Sequence, residues 1–331
     1  MAEPRAGSQA PSVPGTMKAA AIDRFGGPEV LTLHTLPVPT PGRQEVLIAL
    51  HVAGVGIWDA SIRDGSWRLS SRPKFPLVPG TDGAGIIVAK GAGVRRFRIG
   101  EGVYATKLGG FYAEYVAVNE QYVSRIPEPL DMLQAGAAAA TGLTALQGID
   151  DALRVKKGET LLIFGASGAV GTLAVQFAKR RRVRVLATAS GRGAASLVQD
   201  LGADAVIDPR KTSFIEQLRL LIDGGLDAVL ALAGGEALEQ CLDHVRAGGR
   251  VAYPNGVEPE PRRRPAIRLT AYDGEAGPRE FIRLQRAVWK SKLRVPIARA
   301  YPLSQAPKSH VRLERGHILG RIVLRVRREG A

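Results

Sequence analysis

The chain has 331 residues, 45% of them hydrophobic, which is enough for more than one packed core, so two domains are expected. No apolar run reaches the roughly 18 residues of a membrane span, so no membrane partner is expected. A single cysteine, Cys241, excludes a disulfide framework and a cysteine zinc cluster, and points to a reducing, cytoplasmic compartment.

Residues 1–16, MAEPRAGSQAPSVPGT, lack the apolar centre of a signal peptide and read as a disordered leader. The fold is expected to begin near Met17. Up to about residue 135, short apolar runs alternate with Gly/Pro turns: VLTLHTL, EVLIALHVAGV, AGIIVAKGAGV, EGVYATKL and FYAEYVAV. That spacing predicts an all-β, barrel-like domain. Between two of these runs lies AGVGIWDASIRDGSW (53–67), read as an active-site loop although it contains no His, Cys, Lys or Tyr.

Beyond residue 135, strands and helices alternate as in a parallel sheet covered on both faces. The predicted strands are TLLIF, VRVLATA, AVID, DAVLALA and RVAYPN. The predicted helices are ASGAVGTLAVQFAKR, AASLVQDLG, SFIEQLRLLI and EALEQCLDHVR. After about 275 comes an amphipathic helix, EFIRLQRAVWKSKL, then a last strand, RIVLRV, with no neighbour left in this half. It is expected to return to the first domain. The division predicted is therefore 17–136 with the return 276–331, and 137–275.

The net charge is +15, with 35 Arg against 11 Lys. The basic clusters RRFR (95–98), KRRRVR (179–184), RRR (262–264) and RVRR (325–328) admit nucleic acid as a partner. Their scatter over several elements, and an aromatic content of only 5%, argue against it as the main one.

The strongest mechanistic motif is TLLIFGASGAVGTLAVQFAK. Gly165, Gly168 and Gly171 follow a strand at G-x-x-G-x-x-G spacing, and a helix starts inside the loop. Glycine lets the backbone turn sharply and approach a pyrophosphate, and the free N–H groups of the helix start face the anion. The strand–loop–helix context is the one a dinucleotide loop requires. No G-K-[ST] follows, which excludes a P-loop. Ala169, two residues after Ser167, excludes a G-x-S-x-G nucleophile elbow. About twenty residues on, where NAD binders carry a carboxylate for the ribose, this chain has Ser190, Gly191 and Arg192. A hydroxyl and a guanidinium suit a 2′-phosphate, so NADPH is the expected cofactor.

Taken together, these pieces resemble the medium-chain dehydrogenase/reductase superfamily, and within it the zinc-free quinone oxidoreductase (zeta-crystallin-like) branch. The motifs carrying the resemblance run from about Met17 to Val326. They are AGVGIWDASIRDG, VPGTDGAG (78–85), GGFYAEYVAV (109–118), AAAATGLTAL (137–146), IFGASGAVG, QDLGADAVID (199–208), GGRVAYPNG (248–256) and GHILGRIVL (316–324). The resemblance implies an α/β protein with a GroES-like β-barrel catalytic domain and a Rossmann dinucleotide-binding domain. It also implies a homodimer, formed through the edge strand near AIRLTAY (266–272).

The zinc branch of the superfamily places a cysteine ligand at the position of Gly56 and a histidine ligand at that of Thr81. Neither residue here can take that role, so no metal is expected. The five histidines show no ligand spacing and are expected at surface or packing positions. The quinone oxidoreductase pattern itself has Asn at Gly56, often tyrosines at Ser61 and Trp67, glycine at Ala169 and often lysine near Ala194. Those departures touch the substrate pocket and the 2′-phosphate site.

By resemblance, Gly165, Ser167, Gly168, Ala169, Val170 and Gly171 line the pyrophosphate, with Ser190 and Arg192 at the 2′-phosphate. Thr144 and Asn255 border the nicotinamide. Trp58, Ser61 and Trp67 wall the substrate pocket. Asp59 and Arg63 are the candidate charged residues. Their spacing of four suits an ion pair on one helical turn, and Arg63 could instead stabilise an enolate oxygen if it faced the pocket.

The expected activity is metal-free hydride transfer from NADPH to quinones or α,β-unsaturated carbonyls, acceptors that spread the incoming charge onto oxygen. A dedicated biosynthetic enoyl reductase would share every motif. An RNA-binding protein with little turnover is the reading from another class. The absence of any Y-x-x-x-K disfavours a short-chain dehydrogenase.

Overall fold

The computed structural model describes residues 13–67 and 73–327. Most of the expected leader, residues 1–12, lies outside the described residues, and Thr16 already belongs to the first strand. In chain order the first half holds β1 (Thr16–Ala21), β2 (Thr32–Pro37), β3 (Glu45–Val55), α1 (Ile57–Asp64), β4 (Asp82–Lys90), β5 (Gly102–Thr106), β6 (Tyr115–Asn119) and β7 (Val123–Arg125). Then come α2 (Met132–Gly136), α3 (Ala139–Gln147), β8 (Thr160–Phe164), α4 (Ala169–Arg180), β9 (Arg184–Thr188), α5 (Arg192–Asp200), β10 (Ala205–Ile207) and α6 (Phe214–Leu221). The remainder is β11 (Leu226–Ala231), α7 (Glu236–Leu242), β12 (Val245–Pro254), β13 (Arg268–Tyr272), α8 (Pro278–Ser291), β14 (Ile297–Pro302), α9 (Ala306–Glu314) and β15 (Arg321–Arg325).

Two large sheets organise these elements. The parallel one has the order β10-β9-β8-β11-β12-β13, so the chain reverses direction across the sheet between β8 and β11. Ligands of open α/β sheets bind at the strand ends beside such a switch point. Leu161, Leu162 and Ile163 of β8 are fully buried because helices cover both faces. The other sheet runs β14-β15-β3-β4-β5-β7, with β6 also on β3. β15 lies antiparallel to β3, pairing Ile322 with Val55 and Leu324 with Ala53.

β3 departs from simple alternation. Val46, Ile48 and Leu50 face the barrel core, and Leu47 and Ala49 on the other face pack with Met17, Ala19, Ala113 and Tyr115. Both faces of β3 are therefore covered.

Two sequence readings need correction. The stretch 53–67 is mostly not a loop: it is the end of β3 followed by α1. The helix read over 236–246 stops at Leu242, and Val245 already starts β12. α9 and β14 carried no recognised pattern. α8 packs on α3 and α4, burying Phe281, Leu284 and Val288.

Much of the positive charge is spent internally. In the 179–184 cluster, Lys179 pairs with Asp204, and Arg180 and Arg181 share Asp150. Arg264 of the 262–264 cluster binds Glu239 and Asp243. Among the described residues, no helix is long and apolar enough to cross a membrane.

Candidate active site

A cleft of about 380 Å³ opens between the two sheets, within the size range of small-ligand sites. One wall comes from Gly56, Ile57 and Trp58 with Thr81. The second is the turn between β8 and α4, with Gly165 and Gly168 to Gly171. Ala140, Thr141, Thr144, Leu232 and Asn255 close the back, and the approach to β15, including His317 and Arg321, closes the rim.

The glycine turn follows the chemistry expected of it. Gly165 sits at φ 85°, a left-handed conformation that favours glycine. Its N–H donates to Thr188 Oγ1 at 2.9 Å, and Ala166 N–H donates to the Thr188 carbonyl at 3.1 Å. β9 thus pins the turn. A Cβ on Gly171 would stand 2.5 Å from the Gly165 carbonyl oxygen, whereas one on Gly168 would meet only that oxygen, at 3.5 Å. Gly171 therefore packs the helix onto the turn, and Gly168 keeps the surface open. No side chain caps α4, so the first-turn N–H groups face the cleft ready for an anion.

Around this turn, Asn255 lines the cleft and donates from Nδ2 to Asp273 Oδ2 at 2.8 Å. Thr144 lines it too, with its hydroxyl donating to the Ala140 carbonyl and its own carbonyl accepting from Tyr272. At the end of β9, the Arg192 side chain is exposed and has no ion pair or hydrogen bond among the described residues. Asp208 nearby accepts from Gly191 N–H and is gripped by Arg210, which holds its carboxyl well below the usual range.

Trp58 lines the cleft, and Trp67 stands behind it, edge-on at 4.6 Å between ring centroids. Ser61 and Trp67 are not themselves on the cleft surface; the Ser61 carbonyl accepts from Trp67 N–H. Arg63 turns away from the cleft. Its Nε donates to the Gly26 carbonyl at 2.9 Å, Nη1 binds His310 Nδ1 at 3.0 Å, and Nη2 pairs with Glu314 at 2.9 Å. The spacing suggested a pair with Asp59, but the partners are on α9 and the loop before β2, and the Asp59 carboxyl folds back onto the Gly56 N–H instead. The guanidinium is therefore a packing clamp whose donors point away from the cleft.

Asp59 has a different setting. It is fully buried, and its Oδ2 accepts from Gly56 N–H at 2.8 Å, capping α1. Its Oδ1 is buried without a hydrogen-bond partner among the described residues. Burial raises its carboxyl to about 7, against the opposing pull of Arg321. Beside it, Arg321 Nη2 bonds Asp82 Oδ1 at 2.8 Å, and Asp82 Oδ2 accepts from Ala140 N–H. Sequence reading missed Arg321 and Asp82 as site residues. The signal lay in the DGAG and GRIVL motifs, but nothing local tells that residues 239 positions apart share a buried ion pair. His317, expected at the surface or in packing, also borders the cleft.

Zinc does not fit here. Gly56 and Thr81 offer no ligand, and a Cβ on Gly56 would lie 3.1 Å from Arg321 Nη1, so a fixed cation already stands in that space. Among the described residues, no group of three or more His, Cys, Asp or Glu is placed to hold a metal.

With this geometry in view, the likeness to known proteins extends over nearly the whole chain. Residues 42–128 match the alcohol dehydrogenase GroES-like domain, and residues 201–324 match the zinc-binding dehydrogenase family. The quinone oxidoreductase of Mus musculus is 31% identical over 310 residues, covering 89% of this chain and 93% of its own. The solved quinone oxidoreductase of Coxiella burnetii is 32% identical with a TM-score of 0.84, covering 94% of this chain and 100% of its own. A mycobacterial protein solved in complex with NADPH is 28% identical with a TM-score of 0.84 and the same coverage. Fold and site define an oxidoreductase built from a GroES-like half and a Rossmann-like parallel sheet. The chain belongs to the medium-chain dehydrogenase/reductase superfamily, and within it to the quinone oxidoreductase family.

Proposed function

We propose that the protein is an NADPH-dependent reductase of quinones or α,β-unsaturated carbonyls that works without a metal. The observation that carries this reading is the cleft itself. A glycine turn suited to a dinucleotide faces Trp58 across a space whose corner beside Gly56 holds Arg321. The bound nicotinamide would supply the hydride. Gly165 and residues 167–171 hold the pyrophosphate, helped by the open N-terminus of α4. Thr144 and Asn255 border the nicotinamide, and Trp58, backed by Trp67, walls the acceptor. Ser190 and the uncommitted Arg192 meet the 2′-phosphate. The Asp208 carboxylate close by is neutralised by Arg210 and so does not oppose that phosphate.

The domain division follows from the same reading: 17–136 with 276–331 as the catalytic domain, and 137–275 as the cofactor domain. β13 is an edge strand of the parallel sheet, which supports pairing of two copies there as a cytoplasmic homodimer.

The test is oxidation of NADPH against NADH with a panel of quinones, enones, enoyl thioesters and simple ketones. Turnover with NADPH and the conjugated acceptors alone is expected. Absence of turnover with every acceptor, or a preference for simple ketones, overturns the proposal.

A further inference from the structure

Reduction of a quinone or enone needs a proton as well as a hydride, and three threonines line the cleft. Two have spent their hydroxyl protons. Thr141 Oγ1 donates to the Ala137 carbonyl at 2.6 Å, and Thr144 Oγ1 donates to the Ala140 carbonyl at 2.9 Å. Among the described residues the Thr81 hydroxyl is bonded to no backbone carbonyl, and behind it lies the Asp59 carboxyl, whose Oδ1 has no hydrogen-bond partner among them. We propose that Asp59 is the proton store of this cleft and that the Thr81 hydroxyl hands its proton to the acceptor oxygen. This rests on the reductase reading above.

The surroundings fit a store. From β4, Asp82 disfavours a second negative charge beside it; from β15, Arg321 stabilises the carboxylate once the proton has left. From the loop before β6, the Tyr112 phenol acts on the same carboxyl. Tyr112 is bonded in turn to His310 Nε2 at 3.0 Å. His310 Nδ1 faces the Arg63 guanidinium, which can only donate, so Nδ1 accepts and Nε2 carries the ring proton toward the Tyr112 oxygen. That leaves the Tyr112 hydroxyl proton free to turn toward Asp59, with which it forms no hydrogen bond in the structure. The chain of groups ends at Arg63, which cannot release a proton, so no route passes through it to the surface. On that side Asp59 has no outlet among the described residues, and it is refilled through the cleft.

The step balances. The acceptor has taken hydride on carbon from a reduced nicotinamide cofactor, and its π pair has moved to oxygen. The Thr81 O–H bond breaks as the acceptor O–H bond forms. The Asp59 O–H bond breaks as its proton moves to Thr81 Oγ1, leaving Asp59 as carboxylate. Water in the open cleft returns the proton after product leaves. A quinone emerges as the keto tautomer of the hydroquinone, which aromatises in solution as the reduced carbon gives one proton to water and the second oxygen takes one up; an enone emerges as an enol that ketonises.

The experiment combines kinetics with infrared spectroscopy. With NADPH and a soluble para-quinone, wild-type turnover falls as pH rises through about 7, because the acid form of Asp59 is then lost. Thr81→Val lowers kcat by roughly 10²-fold without moving the KM for NADPH, and Thr81→Ser restores it. Asp59→Asn lowers kcat similarly and flattens the pH profile. In the cofactor-free protein, the infrared band of a protonated buried carboxyl is present below neutrality and absent from Asp59→Asn. Wild-type kcat in Thr81→Val, an unchanged pH profile in Asp59→Asn, or no such band overturns the relay. Absence of wild-type turnover with any acceptor, the band being present, overturns the reductase reading instead, and the delivery step with it.

Discussion

Arg63→Ala separates a packing role from a chemical one. In the folded protein the Arg63 side chain is 4% exposed and makes three polar contacts to three different segments. The bonds to the Gly26 carbonyl and to His310 are buried or part-buried and come from a charged donor, so each contributes roughly 1.5–3 kcal/mol. The pair with Glu314, whose side chain is 45% exposed, adds at most about 1 kcal/mol after solvent screening. Some loss is recovered where water reaches the vacated partners, so removal should cost about 4 kcal/mol, a large part of the stability of an ordinary domain. Arg63→Lys reaches one partner at a time and should lose about half of that. The assay is urea denaturation of both variants, alongside steady-state turnover at a temperature where each is folded. Turnover within a factor of about two of wild type is expected for the folded fraction. A tenfold fall in kcat with stability within about 0.5 kcal/mol of wild type would refute the clamp and return Arg63 to the mechanism.

Gly171→Ala should destabilise the cofactor-free protein by about 2 kcal/mol, since the new methyl meets the Gly165 carbonyl oxygen, while Gly168→Ala should leave stability intact and weaken NADPH binding measured by fluorescence. Asp59 ionises near 7 when folded but near 3.8 when unfolded, so the folded state holds this proton more tightly and stability falls as pH rises from about 4 to about 7. Asp59→Asn should remove that slope and be more stable than wild type by on the order of a few kcal/mol above neutrality, read from denaturation midpoints across pH. His310 has the opposite sign: burial, then Arg63, pushes its pKa down to about 3, so the unfolded chain takes up the proton first and stability is lost as pH falls from about 6.5 toward 3. His310→Gln should flatten that acid limb; an unchanged limb would place the acid sensitivity elsewhere. Arg192→Ala should raise the KM for NADPH about tenfold and leave that for NADH unchanged.

What could be read from the sequence was whatever a local pattern encodes. The glycine spacing around Gly168 fixed both a turn and a helix start, because a strand before it and apolar periodicity after it leave the backbone little choice. Gly56 and Thr81 could be read by residue type alone as side chains unsuited to ligate zinc. Side-chain direction was less accessible. Asp59 and Arg63 have helical spacing, yet one folds back onto the Gly56 N–H and the other turns toward α9, a helix whose sequence carried no recognised period. Arg321 was hidden for a related reason. Its partner Asp82 comes from an earlier strand, and only the pairing of β15 with β3 brings them together. Ser61 and Trp67 were assigned to the pocket by position in a motif, and the register of α1 decided otherwise.

That same pairing sets the order in which the protein can become competent. β15 lies beside β3, its Arg321 closes on Asp82, and Gly320 N–H donates to the Ser167 carbonyl in the dinucleotide turn. Until that last strand arrives, β3 has an open edge, Asp82 is a buried carboxylate without its cation, and the turn lacks one of its backbone supports. Closing so long a loop is entropically late in folding. A chain still being synthesised could thus form both sheets in outline and yet hold no tight dinucleotide.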